Sequence, residues 1–350
     1  PYYGVIYEFL CETPESWLED TNRSNAGNPI PAAHTMARAP GANDAVTTMF
    51  TLAKTARDHM LPHSGTWTVN ETILASGQAT ADNLPAQMAQ IMYAIRAPSR
   101  AMLDKILAVL DRTADAAALA AHCTVKKHWV SKSRQGLANH AMARRTFENL
   151  KQVGAPRFDG AAIKAAHEIQ KELGLAPIDK PFIDEIEQVI DPEEAERKIR
   201  AEIPAWQTHY TSDDYTDMTW HAPTVRLYIG RPALKAPPGF TYPDWVMNAL
   251  GGINATIDPM LNTAAKTIGL TLFDIIADPV FRMAARDEFD RRTGGGVGGR
   301  TWEAPWCDYA APIDHPWPRY HQTKRGFEWW IPETEVDRLL HRGSSTTLGR

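Results

Sequence analysis

Apolar residues recur at helical spacing across residues 41–60, where Val46, Met49, Phe50 and Ala53 share one face and Asn43 or Asp44 can cap the start. Residues 66–74 are β-branched and aromatic instead. Residues 87–95 alternate Met88, Gln90, Met92 and Ala94 against Ala89, Ile91, Tyr93 and Ile95, the period of a strand. Residues 76–82 form a turn-rich connector between the two. A second amphipathic helix is predicted over 101–119, with Leu103, Ile106, Leu107 and Leu110 on one side, and a closing strand over 122–130. With a first strand ending near His34, the order is βαββαβ. That order predicts a ferredoxin-like split arrangement over residues 26–131: a four-stranded antiparallel sheet with two helices on one face. Residues 1–25 show no strand pattern and stay unassigned.

Beyond Ser131 the pattern turns helical. Residues 139–153, 161–173 and 181–190 read as helices, the second stopped by Gly174. A polar hinge follows, and residues 211–229 end in a strand-like run from Val225 to Ile229. A proline- and glycine-rich loop over 230–242 precedes two helices, 260–277 and 279–292, parted by Asp278. The glycine cluster at 294–299 and the aromatic, proline-rich stretch to residue 332 read as a surface wrap. Residues 333–350 lack periodicity and read as a disordered tail. The second domain is accordingly expected over 132–332, and the class is α+β or α/β.

A chain of 350 residues exceeds what one core comfortably holds, which fits two domains. With 43% hydrophobic and 23% charged residues and a net charge of -5, nothing calls for nucleic acid as a partner. The cysteines Cys11, Cys123 and Cys307 are odd in number and far apart in sequence, which argues against a disulfide framework and for a reducing cytoplasm. Neither a basic, apolar leader nor a run of about 18 apolar residues is present, so a secreted precursor and a membrane protein are not expected. Pro1 in place of a methionine points to a trimmed chain.

Several segments carry a resemblance. Pro31-Ala-Ala-His34 followed by Gly41-Ala-Asn-Asp-Ala-Val46 resembles the run that opens the dimerisation lid of dinuclear-metal amidohydrolases of the aminoacylase and carboxypeptidase type. Asp82-Asn-Leu-Pro-Ala86 resembles their "PNVVPA" turn, and Tyr93-Ala-Ile-Arg-Ala-Pro98 resembles the "YLIRAP" strand of the aminobenzoyl-glutamate hydrolase branch. Ser212-Asp-Asp-Tyr-Thr-Asp-Met-Thr-Trp220 and Met260-Leu-Asn-Thr-Ala-Ala-Lys-Thr267 are similar to that branch's "STDVGDVSW" and "MLLAAKTM" segments. The resemblance implies a βαββαβ lid joined to part of an α/β metallo-amidohydrolase catalytic domain.

By this resemblance, His34 reaches across a dimer interface to stabilise an oxyanion, Asn83 offers an amide to the substrate, and Arg96 binds a substrate carboxylate in a bidentate fork. Each residue also has a plain structural reading: a hydrogen-bonded strand end for His34, a turn former for Asn83, and a surface salt bridge for Arg96. Ser212, Asp213, Asp214 and Asp217 are implied to orient the site from behind its ligands. An alternative makes the three aspartates and His221 metal ligands themselves.

The complete enzyme is expected to hold zinc or manganese. This chain departs from the pattern, because the "GHGCGHN" and "PGEE" segments that carry most of the ligands are missing. The late metal-binding histidine aligns with Ile257, and an upstream histidine is lost at Pro243-Asp-Trp245. Asp258 can replace the late histidine only if the backbone turns it inward. Two readings follow: a hydrolase whose metal-binding half lies on a second polypeptide or was removed, or a binding, regulatory or dimerisation subunit. In both, a homodimer or higher oligomer through the lid is expected, with the strand after residues 41–60 as the contact.

Overall fold

The computed structural model describes residues 1–11, 40–59, 67–77, 85–207, 213–312, 319–323 and 326–330. The chain is a mixed α/β protein that divides into two compact units. The first comprises Pro1–Gly136, Gln207–Asp217 and Pro305–Arg350; the second comprises Leu137–Trp206 and Met218–Ala304.

The first unit runs β1 (Tyr2–Leu10), α1 (Ala42–His59), β2 (Thr68–Ala75), β3 (Met88–Arg96), α2 (Arg100–Ala120) and β4 (Thr124–Ser133). Its four strands pair antiparallel in the order β2-β3-β1-β4, the expected βαββαβ arrangement. The strand expected to end near His34 lies outside the described residues, and Tyr2–Leu10 fills the first-strand position. Residues 1–25, read as having no strand pattern, therefore open with a central strand. Its run Tyr-Tyr-Gly-Val-Ile-Tyr-Glu-Phe-Leu hides because a strand flanked on both edges and buried on both faces need not alternate.

Tyr3, Val5, Tyr7 and Phe9 of β1 and Ala89, Ile91, Tyr93 and Ile95 of β3 form one core with Val46, Leu103, Ile106 and Leu110, and Phe50 packs at its margin. Hydrogen bonds from Tyr3 Oη to Asp104 (2.7 Å) and from Tyr7 Oη to Asp111 (2.6 Å) tie α2 to β1. Four strand residues span about 13 Å and seven helical residues about 10.5 Å, so the two spacings nearly match. Trp306, expected in a surface wrap, is buried in this core edge-on to Tyr3. Residues from the same stretch form the hairpin β5 (Arg319–Thr323) and β6 (Gly326–Trp330). The tail at 333–350 lies outside the described residues.

The second unit holds α3 (His140–Val153), α4 (Gly160–Glu172), α5 (Pro192–Glu202), α6 (Trp245–Gly252), α7 (Asn254–Ala277) and α8 (Pro279–Thr293). Asn139, Asp159, Asp191 and Asp278 cap α3, α4, α5 and α8 with their side chains. The helix expected over 181–190 reduces to a 3-10 turn, Asp184–Glu187, and the helix in that region is α5. Asp191-Pro192-Glu193-Glu194 is a strong start signal, but no residue of α5 is buried, so it lacks the apolar face that the spacing argument looks for. Residues Val225 to Ile229 alternate between part-buried and exposed, yet pair with no strand among the described residues.

α7 is inverted. Its buried positions are Thr256, Met260, Thr263, Thr267 and Thr271, whereas Leu261, Ile268, Leu272, Phe273 and Ile276 are exposed. The small threonine side chains let α3 pack closely, and Asn149 Nδ2 donates to Thr271 Oγ1 at 3.2 Å. By length and composition alone this helix of 24 residues is apolar enough to cross a membrane.

Candidate functional site

Arg96 ends β3, opposite Tyr2 of β1 and Thr68 of β2. Its neighbours Ala89, Ile91, Tyr93 and Ile95 face the helices, so by alternation Arg96 lies on the other face with Gln90, and it is exposed. The guanidinium lies over the Tyr2 ring, 4.8 Å from its centroid. Such stacking orients the planar guanidinium.

His34 and Asn83 lie outside the described residues, but segments flanking them meet. Ala42 N–H donates to Ala86 O at 2.8 Å, and Gly41 N–H donates to Asp44 Oδ2 at 2.8 Å. A Cβ on Gly41 would come within 2.7 Å of Ala86 N, so this contact between the start of α1 and the Pro85-Ala86 segment requires glycine. Met88 and Arg96 stand eight residues apart on β3, about 27 Å at a strand's rise. Arg96 and the Gly41 contact with Ala86 therefore occupy opposite ends of the sheet.

Ser212 also lies outside the described residues. Asp213 and Asp217 are engaged in structure: Asp213 Oδ1 accepts from Asp214 N–H at 2.8 Å, and Asp213 O accepts from Thr216 Oγ1 at 2.6 Å. Asp217 Oδ1 accepts from Arg134 Nε at 2.5 Å, and Asp217 O accepts from Arg134 Nη2 at 3.1 Å. The Arg134 side chain is 1% exposed and that of Asp217 33%. Asp214 is exposed, and His221 meets Trp302 edge-on.

Ile257 is partly buried against the core of the second unit. Asp258 is exposed and does not turn inward; with Arg157, Asp159, Asn262 and Lys266 it lines a cleft of about 470 Å³. Among the described residues no group of three His, Cys, Asp or Glu side chains is arranged to hold a metal ion. A hydrolytic zinc site needs three protein ligands and an open position, so the described residues alone do not fit the metal centre that the resemblance implies.

Two polar clusters are not singled out in the sequence. On the outer face of the sheet, Gln90 Nε2 donates to Glu8 Oε2 at 2.6 Å, and His128 Nε2 lies 3.4 Å from Glu8 Oε1. In the second unit, Glu288 Oε1 accepts from Arg292 Nε at 3.0 Å and lies 3.1 Å from His140 Nδ1, while Glu288 Oε2 accepts from Ala141 N–H at 2.9 Å. Strand pairing brings Glu8, Gln90 and His128 together, and the packing of α3 on α8 brings His140 to the i, i+4 pair of Glu288 with Arg292. Burial by itself would raise the Glu288 carboxyl, but the backbone around His140 and Ala141 and the Arg292 guanidinium offset this and hold it at about 2, below its ordinary 4.5.

A lowered carboxylate stabilises the fold above its unfolded pKa, and this contribution is lost as pH falls from 4.5 through about 2. Glu288→Gln is expected to cost about 2–3 kcal/mol at neutral pH, with a penalty that shrinks in acid. Urea unfolding of both proteins across that range checks it; a penalty independent of pH would refute the linkage.

No family model matches the sequence, and no curated protein matches it. Solved structures resemble the chain in part. An aminobenzoyl-glutamate utilization protein from Klebsiella pneumoniae matches at 14% identity and a TM-score of 0.30, over 43% of this chain and 33% of that one. A hydantoinase/carbamoylase family amidase from Burkholderia ambifaria matches at 12% identity and 0.27, over 50% and 33%. A dinuclear metal binding peptidase of the M20 family from Bacillus subtilis matches at 12% and 0.22, over 51% and 33%. The chain thus spans about a third of the length of each of these hydrolases.

Proposed function

We propose that this chain is part of a metal-dependent amidohydrolase acting on an amide bond in a carboxylate-bearing N-acyl or N-aroyl amino acid such as aminobenzoyl-glutamate, working in the cytoplasm. The observation that carries the reading is Arg96: the Tyr93-Ala-Ile-Arg-Ala-Pro98 segment ends β3 with an exposed guanidinium already oriented by Tyr2. Two parallel N–H···O bonds from that fork hold a substrate carboxylate. In this reading His34 donates to the oxyanion, Asn83 to the substrate, and Ser212, Asp213, Asp214 and Asp217 hold the neighbouring loop in shape. Zinc or manganese, when bound by the complete enzyme, supplies water activation and carbonyl polarisation; this chain's residues bind and orient.

Arg96 and Ala86 lie too far apart for one small amide to touch both within a chain. A dimer or higher oligomer through the lid, in contact along edge strand β2, brings the arginine of one subunit toward the 82–86 turn of another. A second polypeptide is the source of the metal-binding half. The lack of a three-ligand group among the described residues favours a second reading, a non-catalytic binding or regulatory subunit.

Arg96→Ala is expected to weaken binding of an aroyl-glutamate by about 1.5–3 kcal/mol, the worth of a charged hydrogen bond, and to leave an uncharged amide unaffected. Calorimetric titration of both ligands tests it; unchanged affinity for the aroyl-glutamate makes Arg96 a surface residue only. Light scattering of the same preparation should give at least a dimer, and a strict monomer would count against the lid assembly.

A further inference from the structure

Cys11 and Cys123, 112 residues apart in sequence, are neighbours across the sheet. The antiparallel register of β1 and β4 pairs Leu10 with Thr124, so the next pair outward is Cys11 with Cys123. Cys11 N–H donates to Gln87 O on the β3 side at 2.8 Å. Its backbone polar groups therefore point away from β4, and the cysteines form a non-hydrogen-bonded pair. Cα atoms in such pairs lie about 4.5 Å apart, within the roughly 4.4–6.8 Å that disulfides span. The Cys123 thiol is pushed well above the ordinary range, first by its side-chain hydrogen bond with Cys11 and then by burial. No disulfide joins them.

We propose that Cys11 and Cys123 form a paired-thiol modification site that closes to a cross-strand disulfide on meeting a peroxide or a low-molecular-weight disulfide. Cys11 is buried and Cys123 half-buried, so Cys123 meets the oxidant first. With peroxide, the Cys123 sulfur attacks, the O–O bond breaks, and a sulfenic acid forms with release of one water. The Cys11 sulfur then attacks the Cys123 sulfur, the S–O bond breaks, and a second water leaves. Two thiols have lost two electrons and two protons, and the peroxide has been reduced to two waters. Closure removes the Cys11 thiol proton, which is directed at Pro40 O 3.7 Å away at the entrance to α1, and staples β1 to β4 around α1, β2, β3 and α2.

The test uses the reduced full chain treated with hydrogen peroxide or diamide, alkylated and digested. The expected product is a peptide pair joining Cys11 to Cys123, lighter by two hydrogens than the reduced peptides, with the exposed Cys307 in no crosslink to either. The oxidised chain should melt about 5–10 °C higher, as closing so long a loop predicts. Cys123→Ser and Cys11→Ser should each abolish the crosslink. Full alkylation of both cysteines after oxidant, pairing of either with Cys307, or crosslinks only between chains would overturn the proposal; the wild-type result decides even if a variant fails to fold.

Discussion

Asp217→Ala is expected to lower the unfolding free energy by about 3–5 kcal/mol, the range for breaking a buried ion pair from one side. Arg134→Met should cost clearly less. The asymmetry follows from which partner is buried. The Arg134 guanidinium is 1% exposed, so without the Asp217 carboxylate its charge sits in a site that water barely reaches. Asp217, 33% exposed, can rehydrate when the arginine is replaced, and methionine fills much of the same volume. Denaturant midpoints for the three proteins, with the slope held constant, give the comparison. Equal losses, or losses under about 1 kcal/mol for both, would mean that the pair does not hold the 213–217 loop.

The chain alone, stripped and then supplied with zinc or manganese, is expected to leave an aroyl-glutamate intact. Under the proposed reading, turnover should begin only when a polypeptide that supplies the metal ligands is added. Metal-assisted hydrolysis is worth at least about 10⁶-fold over the uncatalysed reaction, so the two outcomes cannot be confused. The reason is ligand supply: a hydrolytic ion needs three fixed protein ligands and an open position, and the described residues group no three His, Cys, Asp or Glu side chains for one. Leu261, Ile268, Leu272, Phe273 and Ile276 of α7 face outward, the reverse of a helix that closes its own core. The alternating run from Val225 to Ile229 lacks a strand to pair with among the described residues. Turnover by the isolated chain with stoichiometric metal would overturn this account and return Asp213, Asp214, Asp217 and His221 to consideration as ligands.

How much was legible follows from where the determining interactions lie. From residue 41 to 133 the elements were readable, because each has one buried and one less buried face and its apolar residues keep a local period. β1 escaped since both its faces are covered, and α5 since neither is. α7 was readable as a helix but not in its orientation, because apolar spacing marks a stripe without saying whether this chain or another covers it. The site divides similarly. Arg96 could be assigned from a short motif, and Glu288 with Arg292 is an i, i+4 pair on one helix, whereas Arg134 with Asp217, and Glu288 with His140, pair residues far apart in sequence whose types alone predict no partner. The cysteines were set aside for their distance along the chain, although antiparallel pairing makes that distance irrelevant.

The position of β1 also governs how the sheet comes into being. This strand occupies residues 2–10 but pairs only with β3, which ends at Arg96, and with β4, which ends at Ser133. From Leu10 to Arg96 is 96 − 10 = 86 residues, about 4 to 17 s of synthesis at roughly 5–20 residues per second. For that interval an almost wholly apolar nine-residue segment has no ladder to join. Nascent chains crowded on one message then offer each other the pairing that β3 cannot yet supply, so the yield of folded protein should depend on translation speed and on chaperones that hold a short apolar segment until residue 96 has emerged.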